Sequence, residues 1–393
     1  FYIEYNNTIK MKIISQFILT ILFLINSNYE KAYSSDNIKI GLMIPLTGEY
    51  REIGKSILNA TKLAINKIDN DKVLIIPKDT KASPEITLKV AKELKDSGIK
   101  IVIGPLFNES LLYLDELDEM IFLSLSNKVL KIPNNVISAG INAESQVNTI
   151  KKFQKEFNIK RTIFLIPETD YKPEIENAIK QTKIKLKDKF IYNTDPTELT
   201  SQIEKLTRYP QRKQNLLDEI ERIENSNDLN KERKIENLKK RDTLGGINFD
   251  SVIIADFDES LKSVATSLLY TDISAERINY IGLNQWFDKS LISEKSLQPF
   301  YFPSINKKNY EDFKKEYSTI FYEEPNQISF LSYDLVGLIY FLIYKNDFII
   351  NEKIFYKKNK FKGKIGIFEI NKNKINHILN FYSAEGERFK KIF

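Results

Sequence analysis

The chain has 393 residues, 42% hydrophobic and 28% charged, which suits a soluble globular protein of two domains, or of one domain with two lobes. Its net charge of +6 is spread along the sequence, so it argues only weakly for nucleic acid, and no nucleic-acid partner is expected. Cysteine is absent, which excludes disulfides, thiol ligands, a thiol nucleophile and a lipid-bearing Cys.

Met11 reads as the start, with Lys10 or Lys12 as its basic flank. Ile13 to Ile25 is apolar but shorter than the about 20 residues that span a bilayer. Ala32-Tyr33-Ser34 offers a small-x-small cleavage site. Residues 1–35 are therefore expected to hold upstream residues and a secretory signal peptide. The expected location is the periplasm, membrane-tethered if the signal stays uncleaved.

The apolar run Ile38 to Leu46 predicts a strand ending in Thr47-Gly48. Ile53, Ile57, Ala60, Ala64 and Ile68 follow at helical spacing, and Val73 to Pro77 makes a second strand ending near Asp79. That is a strand-helix-strand unit, the building block of a doubly wound α/β domain. Ser83 and Pro84 open a helix to Ser97. Ile101 to Gly104 is a strand running into Pro105, Leu106 and Phe107, and Ser110 to Leu117 is helical. Strands at Ile121 to Leu125, ending in Ser124-Leu125-Ser126-Asn127, and Val136 to Ile141 precede a helix over Ala143 to Phe157.

A second round starts with the strand Thr162 to Ile166, which leads into Glu168-Thr169-Asp170-Tyr171. Helices are expected over Pro173 to Lys183 and Glu198 to Leu206. Strands at Val252 to Ala255 and Ile278 to Leu283 end at Asp256 and near Asn284 and Trp286. Lys308 to Tyr322 and Phe330 to Tyr344 read as helices, and Ile365 to Ile370 with Ile375 to Phe381 reads as a hairpin. Two rounds of βα units predict an α/β fold of two Rossmann-like lobes. Lobe one takes 37–141 plus 281–350. Lobe two takes 142–280 plus 351–393. Gln211 to Arg241 carries 16 charged residues in 31, with stripes at Leu216, Ile220, Ile223 and at Ile235, Leu238. It predicts a charged helical hairpin inserted at 208–245, either solvated or an arm for a protein partner.

The only histidine, His377, falls in the predicted hairpin, so a His-based metal site or a Ser-His triad lacks parts. No G-x-S-x-G elbow or G-x-G-x-x-G fingerprint occurs. Gly48 to Ser56 mimics a P-loop, but five residues separate its glycines where the motif has four. No metal, organic cofactor or enzymatic activity is expected.

Ligands of open α/β sheets sit outside the C-terminal strand ends. Candidate cleft residues are therefore Tyr50, Asp79, Leu106, Phe107, Ser124, Ser126, Asn127, Asp256 and Trp286. The Ser124 and Ser126 hydroxyls, with the backbone N–H groups after them, can hold a carboxylate, and Asp256 can pair with an ammonium. The alternatives are a capped loop for the serines, a helix cap for Asp256, and packing for Leu106, Phe107 and Trp286.

The stretches IGLMIPLTGEYREIGKSILNA (40–60), IPKDT (76–80), IVIGPLFNESL (101–111), SAGINAESQVNTI (138–150), IFLIPETDY (163–171), the Trp286 region and SYDLVGLIY (332–340) resemble type I periplasmic solute-binding proteins. Within that superfamily, of the Leu/Ile/Val-binding-like kind, the chain looks most like the LppC-type penicillin-binding protein activators. The resemblance implies a non-enzymatic clamshell with three crossovers between lobes. It implies that Ser124 and Ser126 stand where relatives place ligand hydroxyls, and that Tyr171 matches an aromatic covering the ligand on closure, with interlobe packing as its other reading. For the subgroup it implies regulation of peptidoglycan synthesis through a peptidoglycan synthase. For the superfamily it implies amino acid transport, with an ABC permease as partner. The expected ligand is a small polar one, an amino acid or a peptidoglycan fragment.

Overall fold

Two β-sheets of mostly parallel strands organise the chain, as seen in a computed structural model that describes residues 37–70, 73–283 and 286–393. The expected signal segment and Asn284 lie outside the described residues. Lys39–Asn70 with Ile75–Phe393 forms one compact body. Residues 37–38 and 73–74 group apart from it.

The first sheet contains β1 (Ile38–Ile44), β2 (Val73–Asp79), β3 (Ile101–Ile103), β4 (Ile121–Ser124) and β5 (Val136–Ser138) in the order β2-β1-β3-β4-β5. It is extended by β13 (Lys374–Ile378), β12 (Ile367–Asn371) and β11 (Asn359–Lys362). The second contains β6 (Thr162–Pro167), β7 (Asp188–Tyr192), β8 (Ser251–Ile254), β9 (Asn279–Gly282) and β10 (Phe300–Ser304) in the order β7-β6-β8-β9-β10, extended by β14 (Asn380–Glu385) and β15 (Arg388–Lys391). Each sheet thus repeats the 2-1-3-4-5 order of a doubly wound lobe, with the direction of winding switching between its first and third strands. The two-lobed type I periplasmic binding fold follows from these sheets.

The helices fall between the strands: α1 (Arg51–Ile68), α2 (Pro84–Asp96), α3 (Ala143–Glu156), α4 (Lys172–Thr182), α5 (Pro196–Thr207), α6 (Tyr209–Glu224), α7 (Lys231–Lys239), α8 (Asp258–Tyr270), α9 (Lys307–Phe321) and α10 (Ser329–Tyr344). In α1 the 3.6-residue spacing buries Ile57, Ala60, Leu63 and Ala64. α10 is apolar nearly all round and packs along α1, which is why it is buried on most sides. Ser83 caps α2 by accepting from the Ile86 N–H, and Asn142 caps α3 by accepting from the Ser145 N–H.

The chain changes sheet three times, after β5, after β10 and after β13. The expected partition put 281–350 with lobe one and 351–393 with lobe two. Phe300–Ser304 instead lies in the second sheet, and Asn359–Lys362, Ile367–Asn371 and Lys374–Ile378 lie in the first. Only Leu379 separates β13 from β14, so two strands that read as one continuous pattern belong to different sheets. The expected hairpin is real but narrower, with Ile367 opposite Ile378 and Asn371 opposite Lys374, and Phe381 pairs elsewhere, opposite Pro303.

α6 and α7 form the inserted helical hairpin. Its foot is fixed by Arg212, whose buried guanidinium donates to the Thr271 carbonyl at 2.9 Å, the Thr243 hydroxyl at 2.7 Å and Asp272 at 3.4 Å. Leu216 and Ile223 are buried, while α7 buries no residue and Leu229 at the tip is fully exposed.

Candidate functional site

Both points where the winding switches carry residues singled out from the sequence. In the first lobe, between β1 and β3, the Tyr50 ring lies 4.6 Å from that of Phe107, centroid to centroid. Two glycines let the loops meet there. A Cβ on Gly54 would stand 1.6 Å from the Pro45 carbonyl oxygen, so the first turn of α1 presses directly on the end of β1. Gly104, at φ +105°, would put a Cβ 2.2 Å from the Met43 carbonyl oxygen. The P-loop-like spacing at 48–56 therefore reflects helix packing. The loop's donors are also spent within the fold, because Asp79 accepts from the Leu46 N–H at 2.8 Å, the Thr47 hydroxyl at 2.5 Å and the Lys81 N–H at 2.9 Å. Burial pushes the Asp79 carboxyl up, but these hydrogen bonds outweigh it and hold the group below the usual carboxylate range.

A cavity of about 400 Å³ opens at this end of the first sheet. Leu106, Phe107, Ser126, Asn127 and Trp286 line it together, and Tyr50 joins them through its ring contact with Phe107. Sequence reasoning missed Ile53, Asn326 and Ile328, which line the same space, and its two charged residues, Glu109 and Lys128. Ile53 was visible as the first apolar residue of α1. Asn326 and Ile328 precede α10 and carried no strand-end signal. A larger hollow of about 830 Å³ lies beside α3 at the N-terminal ends of β6 and β7. Volume does not select the functional end of such a sheet; strand direction does.

Five expected residues are not on the wall of this cavity, Tyr50 among them although its ring touches Phe107. The buried Ser124 hydroxyl donates to the Pro105 carbonyl at 3.0 Å and accepts from the Ser126 N–H at 3.1 Å. Asp79 is held as described. In the second lobe, Tyr171 and Asp256 stand at the switch between β6 and β8, yet each is turned into protein. Asp256 accepts from the Tyr192 hydroxyl at 2.7 Å and the Phe257 N–H at 3.0 Å. Burial, with a smaller push from Asp258, holds its carboxyl above the usual range against those two hydrogen bonds. α8 takes Phe257 as its N-cap residue, with no side-chain cap. Tyr171 packs against the core of α3, β6 and β8, and its hydroxyl faces the Ala143 N–H without a hydrogen bond of good geometry. Burial first, then the Glu174 charge, pushes that hydroxyl's pKa up.

The lobes also hold one another directly. Glu174, on α4 of the second lobe and 4% exposed, accepts from the Val129 N–H at 3.1 Å and the Leu130 N–H at 2.9 Å. Those two residues follow Ser126, Asn127 and Lys128 in the first lobe. At the first crossover, Asn142 donates to the Ile375 carbonyl and the Ser145 hydroxyl accepts from the His377 N–H. Apart from Ile141, which lines the cavity, the stretch 138–150 thus serves as a polar network at the crossover. Among the described residues, no group of three His, Cys, Asp or Glu could hold a metal ion, and no helix is long and apolar enough to cross a membrane.

Residues 37–208 match the periplasmic binding protein family. No curated protein matches in sequence. Among solved structures, the periplasmic binding fold recurs in a branched-chain amino acid ABC transporter periplasmic ligand-binding protein from Burkholderia xenovorans, at 10% identity and a TM-score of 0.64, covering 91% of this chain and 95% of that one. It recurs in the leucine binding protein LivK of Thermotoga maritima at 13% identity and a TM-score of 0.57, covering 91% and 98%. It recurs in the C-domain of LpoA from Haemophilus influenzae, a regulator of PBP1A, at 14% identity and a TM-score of 0.58, covering 90% and 100%. These likenesses are of fold. The family and these neighbours are binding proteins.

Proposed function

We propose that this chain is a non-enzymatic periplasmic binding protein of the Leu-binding-like type that acts as a penicillin-binding-protein-activator-like regulator of peptidoglycan synthesis. The observation that carries the reading is the Glu174 contact, which ties the lobes together through protein groups alone. The groups best suited to gripping an amino acid are likewise engaged internally: Ser124 with Pro105, Asp79 with the Thr47 turn, and Asp256 with Tyr192. A clamshell held in this way presents a fixed outer surface to a partner, and the exposed α6–α7 hairpin is part of that surface. The motif resemblance and the fold shared with the LpoA C-domain support the same reading. In a pull-down, the chain retains a peptidoglycan synthase and raises its polymerisation rate. Deleting 211–241 abolishes retention if the hairpin is the contact. Failure to bind any peptidoglycan synthase from the same cell refutes the reading.

A second reading is favoured by the cavity itself. Its volume of about 400 Å³, with Ser126, Asn127 and Trp286 on its wall, suits a small polar solute such as an amino acid or peptidoglycan fragment delivered to an ABC permease. A ligand at about 100 times its dissociation constant would stabilise the fold by roughly 2.7 kcal/mol. A shift in melting temperature with one solute, removed by Ser126→Leu, favours transport. A flat panel removes this reading.

A further inference from the structure

The basic charge is not spread as evenly as the linear sequence suggests. Residues 151–161 and 183–189 together hold nine Lys and Arg against two acidic residues, more than the whole chain's net +6. The fold brings both stretches to the N-terminal ends of β6 and β7, the end of the second lobe away from the strand C-termini. There they line the hollow of about 830 Å³, with Lys151, Lys155, Lys160, Lys183, Lys185 and Ile159 on its walls. Lys151 donates to the Thr182 carbonyl at 2.7 Å, and Lys152 sits 3.9 Å above the Phe393 ring and 3.7 Å from Glu156. Arg161 pairs with Asp250 at 3.5 Å. Among the described residues, Lys155, Lys160, Lys183 and Lys185 make no ion pair. All four are exposed, and Phe157, at 54% exposure, presents an aromatic ring beside them.

We propose that this face docks the protein on an anionic phospholipid surface. Three features select that partner. A small free anion is gripped by converging, desolvated donors, whereas here every lysine is solvated and the hollow is broad. Lysines around a half-buried isoleucine, with an exposed phenylalanine on the same stretch, match the interfacial pattern in which apolar groups enter the headgroup layer while ammonium groups meet phosphate. The charged residues lining the hollow are all lysines, and the two stretches keep a strong positive excess over Glu156 and Asp188, as attraction to a negatively charged leaflet requires. The patch also lies at the opposite end of the second lobe from its strand C-termini, so docking leaves that lobe's switch point uncovered.

The test is cosedimentation of the full chain with vesicles of phosphatidylcholine alone and of phosphatidylcholine with phosphatidylglycerol at 3:1. The quantity read is the increment due to the anionic lipid, which separates this face from any binding by residues 1–35. Each lysine near the surface contributes about fivefold in partition. Replacing Lys155, Lys160, Lys183 and Lys185 by Gln is therefore expected to reduce the increment at least tenfold. Replacing Lys213, Lys231, Lys239 and Lys240 of the hairpin makes the same change in net charge and is expected to leave the increment within about twofold. Raising salt to about 0.5 M is expected to remove it. Equal losses in the two variants overturn the proposal, as does equal binding to both vesicles. Displacement by millimolar inorganic phosphate at constant ionic strength would point to a solute site instead, and binding to duplex DNA with no anionic-lipid increment would point to a nucleic acid. Either result also overturns it. Unchanged circular dichroism and melting of both variants shows that a loss is not unfolding.

Discussion

Replacing His377 by Gln isolates a titration buried at the hinge. His377 lies in β13, 6% exposed, with Nε2 2.9 Å from the Ala139 carbonyl. That oxygen only accepts, so Nε2 carries the hydrogen, and the neutral Nδ1 has no partner among the described residues. Burial pushes the imidazole pKa from 6.5 down to about 4, with the Ala139 carbonyl offsetting only part of it. Between those values the unfolded chain binds a proton that the folded chain refuses, so stability falls as pH drops through the window. At 1.36 kcal/mol per unit the full effect is about 3.4 kcal/mol, of which about 1.8 is lost between pH 7 and pH 5. Asp334 works the other way. It is 4% exposed on α10 and accepts from the Lys364 and Ile365 N–H groups, both at 2.8 Å. Burial nevertheless pushes it from 3.8 up to about 6. Its contribution is fully present below 3.8 and lost as pH rises through 6, so the fold gains about 1.3 kcal/mol from it between pH 7 and pH 5. The two groups nearly cancel in the parent protein. His377→Gln removes one side, so the variant should gain about 1.8 kcal/mol on its parent when both go from pH 7 to pH 5. Urea unfolding at pH 7, 6 and 5, followed by Trp286 fluorescence and circular dichroism, measures this. Parallel pH curves for parent and variant would refute the argument.

Glu174→Ala strands two N–H groups between the lobes and should cost about 2–3 kcal/mol, with a larger radius of gyration in solution scattering; an unchanged radius means that Glu174 does not hold the lobes together. Arg212→Ala removes the donors that fix the hairpin foot and leaves the buried Thr271 carbonyl without its side-chain donor, while Asp272 keeps Thr243 and Arg277. It should cost about 2–3 kcal/mol and hasten proteolysis within 209–239 before the rest of the chain. Gly54→Ala forces a methyl group onto the Pro45 carbonyl and should cost about 3 kcal/mol or more, read as a fall in the thermal midpoint.

Much of the fold was legible because its signals are local. Hydrophobic period, the Ser83 cap and the strand-ending turns all act within a few residues. What escaped depends on long-range choice. β7 has the burial of an edge strand, with only Tyr192 of its five residues buried, so no apolar run announced it. β10 was missed because its short apolar run follows a loop that carries no strand signal. The passage from β13 to β14 through Leu379 has no turn chemistry of its own, so sheet membership there is decided by packing and not by the letters.

The same division runs through the candidate site. The rule that ligands sit at strand C-termini selected residues at that end of each sheet, and five of its choices share one cavity wall in the first lobe. It could not tell which way each side chain turns. Ser124 and Ser126 are two residues apart and read alike, but Ser124 ends β4, where its hydroxyl meets the Pro105 carbonyl of the neighbouring loop, while Ser126 lies beyond the strand and reaches the cavity. Asp256 looked like a free carboxylate because its partner, Tyr192, comes from the strand that sequence reasoning did not see. Glu174 gave no signal at all, since a helix acid is usually a solvated surface group. It becomes meaningful only when the second lobe sets it against the Val129 and Leu130 amides. Strand ends mark where a cleft lies, but whether its polar groups await a ligand or already hold one another is written in pairings between distant segments.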